Sequence, residues 1–270
     1  MPDFMIWPAL ACAVLVGIHC WLGIHVLMRG VIFVDLALAQ VAAAGAALGA
    51  LLHLAPDSLA VNALSLGSAL TASVLFSLGR FRDRRVPHEA VIGIVYAVAS
   101  SAVLLFVSQS AVDRDEIEHM LVGQILFVQR GEVLTALGLY LAVAVLHFLF
   151  RKRLLRMSRG EEIPHGRWWD FLFYATFAIV VTNSVRMVGV LLVFSFLVVP
   201  ACCAAVFAMG LLQRLVLGWV FGLIGSLIGL WASVALDVNP GAAIVVGLGL
   251  LFAACASSSL AIRRGTVENR

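Results

Sequence analysis

The chain has 270 residues, of which 63% are hydrophobic and only 12% charged, with a formal net charge of +3 and a mean hydropathy of +1.06. Soluble domains carry about 25% charged residues, so the composition excludes an ordinary soluble globular protein and points to an all-α, polytopic membrane helical bundle. The arginines fall in short clusters between apolar runs, which makes the basic excess orientation information rather than a nucleic-acid surface.

A helix crossing the hydrocarbon core needs about 20 apolar residues. Windows of that size predict nine spans, near 5–28, 31–54, 58–79, 89–110, 132–150, 168–183, 187–209, 211–236 and 240–262. The whole of 1–270 is expected to form a single transmembrane domain. The N-terminal stretch begins with an acid and lacks the basic region and small-residue cleavage site of a secretory signal, so it is expected to stay as the first span. Five cysteines, Cys12, Cys20, Cys202, Cys203 and Cys255, all lie in apolar runs without CxxC spacing, which suits buried small side chains.

Cytoplasmic loops are enriched in Arg and Lys. That places the cluster Arg80, Arg82, Arg84 and Arg85 inside, together with 151–167, while the intervening segment with Asp113, Asp115, Glu116 and Glu118 goes outside. Alternation then puts the N-terminus outside and Arg29, Arg214 and the C-terminal tail inside. The narrowest boundary is within 168–209, where only Thr182, Asn183, Ser184 and Arg186 separate two spans; one long tilted helix there gives eight spans instead of nine. The stretch 116–128 is too short to span and reads as an interfacial or re-entrant half-helix.

Polar groups inside the spans are the functional candidates. Asp35 lies in the second apolar run with Gln40 five residues on, and an acid within a membrane span is costly enough to be a substrate-handling candidate by default. The alternative is that Asp35, six residues after Arg29, is only about 9 Å deep and stays wet. His19, near the middle of the first span, is a candidate third partner for a divalent cation, carboxylate and imidazole being a sensible ligand pair; a hydrogen-bonded packing role is the other reading. His53 and His147 lie near span ends, where they can snorkel. Glu118, His119 and Asp237 are candidates for an outer gate or docking point.

Gly45 and Gly49, and the series Gly218, Gly222, Gly225 and Gly229, have the spacing that lets membrane helices approach closely. Pro200 removes a helix hydrogen bond and is expected to kink or break the seventh span.

Four segments carry a family resemblance: RGVIFVDLALAQVAAAGAALG from Arg29, HEAVIGIVYAVASSAVLL from His88, RMVGVLLVFSFLVVPACCAA from Arg186 and SVALDVNPGAAIVV from Ser233. In order and spacing they resemble the metal-ion permeases of ABC transporters, the transmembrane subunits for zinc, manganese or iron uptake. The last two segments are the more specific, and the run GIHCWLGIHVL from Gly17 resembles the lead-in of one branch. The resemblance implies a bacterial inner-membrane protein with lipid around it, a homodimer about a central pathway, a cytoplasmic ATPase subunit and an external metal-binding protein. It implies no resident cofactor, the metal being cargo, with zinc first and manganese or iron as alternatives. The sequence has no GxxxxGK[ST] loop, so ATP hydrolysis would fall to the partner.

Two departures stand out. Many relatives pair an acid with His in a G-D-A-x-x-H pattern, whereas here Asp35 is followed by Ala39 and Gln40, and an imidazole suits zinc better than an amide does. The inside loop 151–167 lacks the family's coupling-helix pattern, yet as the longest inside loop it is the candidate ATPase contact through Arg156, Arg159, Glu161 and Glu162. The alternative there is a solvated basic loop that only orients the helices. Among other classes, a secondary transporter driven by an ion gradient needs no ATPase, and an intramembrane enzyme finds no HExxH or GxSxG in the chain.

Overall fold

A computed structural model describes residues 5–55, 58–78, 86–109, 125–208 and 210–268, with side chains described as far as residue 258. Ten α-helices occur among the described residues: α1 (Ile6–Arg29), α2 (Val34–Leu51), α3 (Leu59–Leu78), α4 (His88–Ser108), α5 (Arg130–Leu149), α6 (Arg151–Ser158), α7 (Gly166–Val188), α8 (Val190–Phe207), α9 (Leu211–Leu236) and α10 (Pro240–Glu268). All but α6 are long and apolar enough to cross a membrane, giving nine candidate spans among the described residues. Helices are the expected form because lipid offers no partner to a backbone N–H or C=O, so each must be satisfied within its own segment. Of the stretch 116–128, only its end is described, as a single 3-10 turn at Ile125–Phe127.

The chain divides into two compact units. One comprises Met1–Ile24, Val122–Leu137 and Met187–Arg270; the other comprises His25–Leu121 and Gly138–Arg186. In the first unit α8, α9 and α10 pack on one another. The glycines of α9 make this possible: a Cβ on Gly222 would meet Val16 of α1 and Pro200 of α8, and one on Gly229 would meet the backbone of Ile244 in α10. Trp219 of α9 donates its indole N–H to the carbonyl oxygen of Gly17 at 3.0 Å. In the second unit α2 packs on α3 and α4, with Gly45 against Leu64 and Ser68 and Gly49 against Val61. Both predicted glycine contact faces are therefore interfaces.

Two expectations are corrected. The boundary expected within 182–186 lies at Gly189, whose φ of 79° and ψ of 162° end α7 and begin α8. The helix runs on through Asn183, Ser184 and Arg186, each of which is bonded: Ser184 donates to the Val180 carbonyl at 2.7 Å, Tyr140 donates to Asn183 Oδ1 at 3.0 Å, and Arg186 bonds the Asn62 side chain. Of the kink or break expected at Pro200, the break does not occur, since α8 is continuous from Val190 to Phe207. Pro200 is buried with its ring and carbonyl beside Gly222 and Gly218, so packing holds the helix despite one lost hydrogen bond.

Candidate functional site

The loop 151–167 folds into α6, a helix of eight residues, RKRLLRMS. Leu154, Met157 and Ser158 are buried, whereas Arg151, Lys152, Arg153 and Arg156 face outward. Its end is fixed locally. Gly160, at φ 79°, donates its N–H to the Met157 carbonyl at 2.9 Å, and Glu161 N–H reaches back to Arg156 at 3.0 Å. These are the two crossed bonds of a Schellman cap, which favours glycine at that left-handed position. The exposed Arg156–Glu161 pair, at 2.7 Å, ties the cap to the helix. Trp169 of α7 lies under the Arg153 guanidinium, which is 4.7 Å from its ring centroid, and packs in a tilted contact with Phe150 at 5.0 Å between centroids.

Ser158, the last residue of α6, reaches α1. Its Oγ accepts the Arg29 Nε–H at 2.9 Å and lies 2.7 Å from His25 Nδ1, to which its own proton can be donated. Arg29 extends Nη1 to Asp170 Oδ1 of α7 at 2.7 Å, and the two side chains are only 7% and 6% exposed. The guanidinium also stacks on Phe173, 4.0 Å from the ring centroid. Two charges at this depth persist only when paired and hydrogen-bonded, and a planar guanidinium serves a carboxylate, a hydroxyl and an aromatic face at once. Beside the pair lies a cavity of about 200 Å³ lined by Arg29, Phe76, His88, Ser158, Asp170 and Tyr174. His88 Nε2 lies 3.3 Å from the Tyr174 hydroxyl, and His147 Nε2 lies 2.8 Å from Thr176 Oγ1.

Asp35 is buried, at 1% exposure, so it does not stay wet. It is the second residue of α2, and its Oδ1 accepts the Leu36 N–H at 2.8 Å. A carboxylate in a first helical turn meets the positive end of the helix dipole, which explains how the fold holds it there. Gln40 is half-buried on the same helix. His19 belongs to the other unit; its Nδ1–H donates to the Leu15 carbonyl of the same helix at 2.8 Å. Among the described residues no group of three or more His, Cys, Asp or Glu side chains is arranged to hold a metal. Asp237 is exposed and caps α9 in a left-handed conformation, with φ 52°. Glu118 and His119, like the cluster 80–85, lie outside the described residues. Arg159, Glu161 and Glu162 are exposed beside α6.

Several residues of the buried joint were not singled out by sequence. Asp170 and Ser158 sit in a basic loop and its border, where polar residues attract no notice; Arg29 read only as an orientation marker. His147 lies near a span end, as expected, but is buried and bonded to Thr176 rather than snorkelling.

Residues 1–258 match the family model described as the ABC 3 transport family. Among curated relatives, the manganese transport system membrane protein MntC of Halalkalibacterium halodurans is 27% identical over 252 residues, covering 91% of this chain and 84% of that protein. The manganese import system permease protein ScaB of Streptococcus parasanguinis is 26% identical over 255 residues, covering 90% and 87%. The solved structure of PsaBC from Streptococcus pneumoniae in complex with Fab superposes with a TM-score of 0.76 at 21% identity, covering 94% of this chain and 91% of that one.

Proposed function

Since this chain belongs to the ABC 3 transport family, we propose that it is the membrane-spanning subunit of an ATP-driven importer of divalent metal ions, with manganese as the first cargo. The observation that carries the reading is the family match over residues 1–258. The nine candidate spans and the burial of Asp35 agree with it. Manganese is favoured over zinc because the curated relatives are named for manganese and because carboxylate and amide oxygens suit it, whereas a zinc site would call for imidazole or thiolate.

In this reading the N-terminus is outside and α6 is inside. The outward basic face of α6, with Arg156, Arg159, Glu161 and Glu162, seats in a separate ATPase subunit. A second copy of the chain completes the pathway, and an extracytoplasmic metal-binding protein delivers the ion near Asp237. Asp35 and Gln40 offer the passing cation oxygen ligands. A few such ligands hold it long enough to be drawn inward and weakly enough to be released.

The test is metal accumulation by cells lacking this subunit, measured for manganese, zinc and iron separately. Loss of manganese uptake, restored by the intact gene, is the expected result; unchanged uptake of all three overturns the proposal.

A further inference from the structure

We infer that Ser158 is a positioning residue of the transport cycle: it ties α6 to the last turn of α1, so that motion imposed on α6 is delivered to Arg29 and onward to Asp35. This rests on the reading of α6 as the ATPase contact. A helix of eight residues with four outward-facing basic side chains can be pushed or drawn by a partner, but the motion is useful only if it is passed on. Leu154 and Met157 attach α6 through apolar contacts, which are non-directional and let surfaces slide. Ser158 makes the directional attachment. Its single Oγ engages His25 and Arg29, four residues apart and hence on one face of α1.

Arg29 is then held on its far side by Asp170 at 2.7 Å, which fixes the guanidinium between α6 and α7. Immediately after Arg29 comes Gly30, at φ 66°, where the chain turns toward α2. Val31 N–H and Gly30 N–H fold back on the Val26 and Leu27 carbonyls at 3.3 Å, closing the turn. A shift of Arg29 therefore enters a short connection whose other end is Val34 and Asp35, the second residue of α2. The chain of contacts runs from partner to α6, to Ser158, to Arg29, to the Gly30 turn and to Asp35, without leaving one compact unit.

The experiment reconstitutes the chain with its ATPase in proteoliposomes and measures manganese accumulated per ATP hydrolysed, together with ATPase retained on purification. Ser158→Ala removes the hydroxyl, and Ser158→Thr keeps it. The expected result is that Ser158→Ala retains the ATPase and hydrolyses ATP within about twofold of wild type while accumulated metal per ATP falls about tenfold, as loss of a hydrogen bond to a charged group warrants. Ser158→Thr should recover most of the ratio. A wild-type ratio in Ser158→Ala, equal impairment of both variants, or loss of the ATPase from Ser158→Ala would each overturn the inference. A wild-type complex that holds the ATPase but accumulates no metal with ATP overturns the importer reading itself, and the inference with it.

Discussion

Arg29 Nη1 and Asp170 Oδ1 are 2.7 Å apart, although the two residues lie 141 positions apart in the chain. Removing one member of such a buried pair strands the other charge, which costs about 3 to 5 kcal/mol. Arg29→Ala and Asp170→Ala should each lower the thermal unfolding midpoint in detergent sharply. Replacing both with apolar residues of similar volume should cost less than either single change. A double variant as unstable as the sum of the singles would show that the pair's partners, rather than its charges, carry the effect.

Gly189 adopts φ 79° and ψ 162°, a region essentially closed to residues with a Cβ. Holding such a conformation with a side chain costs on the order of 1 to 3 kcal/mol. Gly189→Ala should therefore destabilise the protein by that amount, read from the same thermal unfolding; an unchanged midpoint would mean that α7 and α8 can join without the turn.

Gly225 and Gly229 face the same helix but different obstacles. A Cβ on Gly225 would meet the far end of the flexible Leu248 side chain, 2.5 Å away, whereas one on Gly229 would meet the Ile244 backbone, its Cα at 2.4 Å and its nitrogen at 2.8 Å. A leucine can change rotamer and a helix backbone cannot, so overpacking costs of about 1 to 3 kcal/mol fall mainly on Gly229→Ala. Equal losses for the two alanine variants would contradict the α9–α10 packing described here.

The spans were legible because about 20 apolar residues in a row have few other uses, and the glycine faces were legible because close approach in lipid requires small residues. Boundaries failed where local rules met tertiary compensation. Asn183 and Ser184 looked like a loop until Tyr140 supplied partners for them, and Pro200 looked like a break until the α9 glycines made room for its ring. The joint at Arg29, Ser158 and Asp170 was hidden for a different reason. Arg29 lies 129 positions before Ser158 and 141 before Asp170, and each of the three alone reads as an ordinary polar residue at a membrane border. Asp35 was legible as a buried acid, though not its place in the first turn of a helix that stabilises it.

That placement sharpens one expectation. Asn at position 35 keeps an oxygen to accept the Leu36 N–H, so Asp35→Asn should leave membrane insertion and ATPase assembly intact. Without the negative charge, ATP-driven metal accumulation should fall to background. Uptake at the wild-type rate, measured on equal amounts of assembled complex, removes Asp35 from the mechanism.

The most direct test is manganese accumulation in proteoliposomes containing this chain, with and without its ATPase and ATP, and with proton and sodium gradients imposed or collapsed. The account requires accumulation only with the ATPase and hydrolysable ATP, indifferent to ionophores. Accumulation by this chain alone, driven by an ion gradient and abolished when that gradient is collapsed, would contradict it.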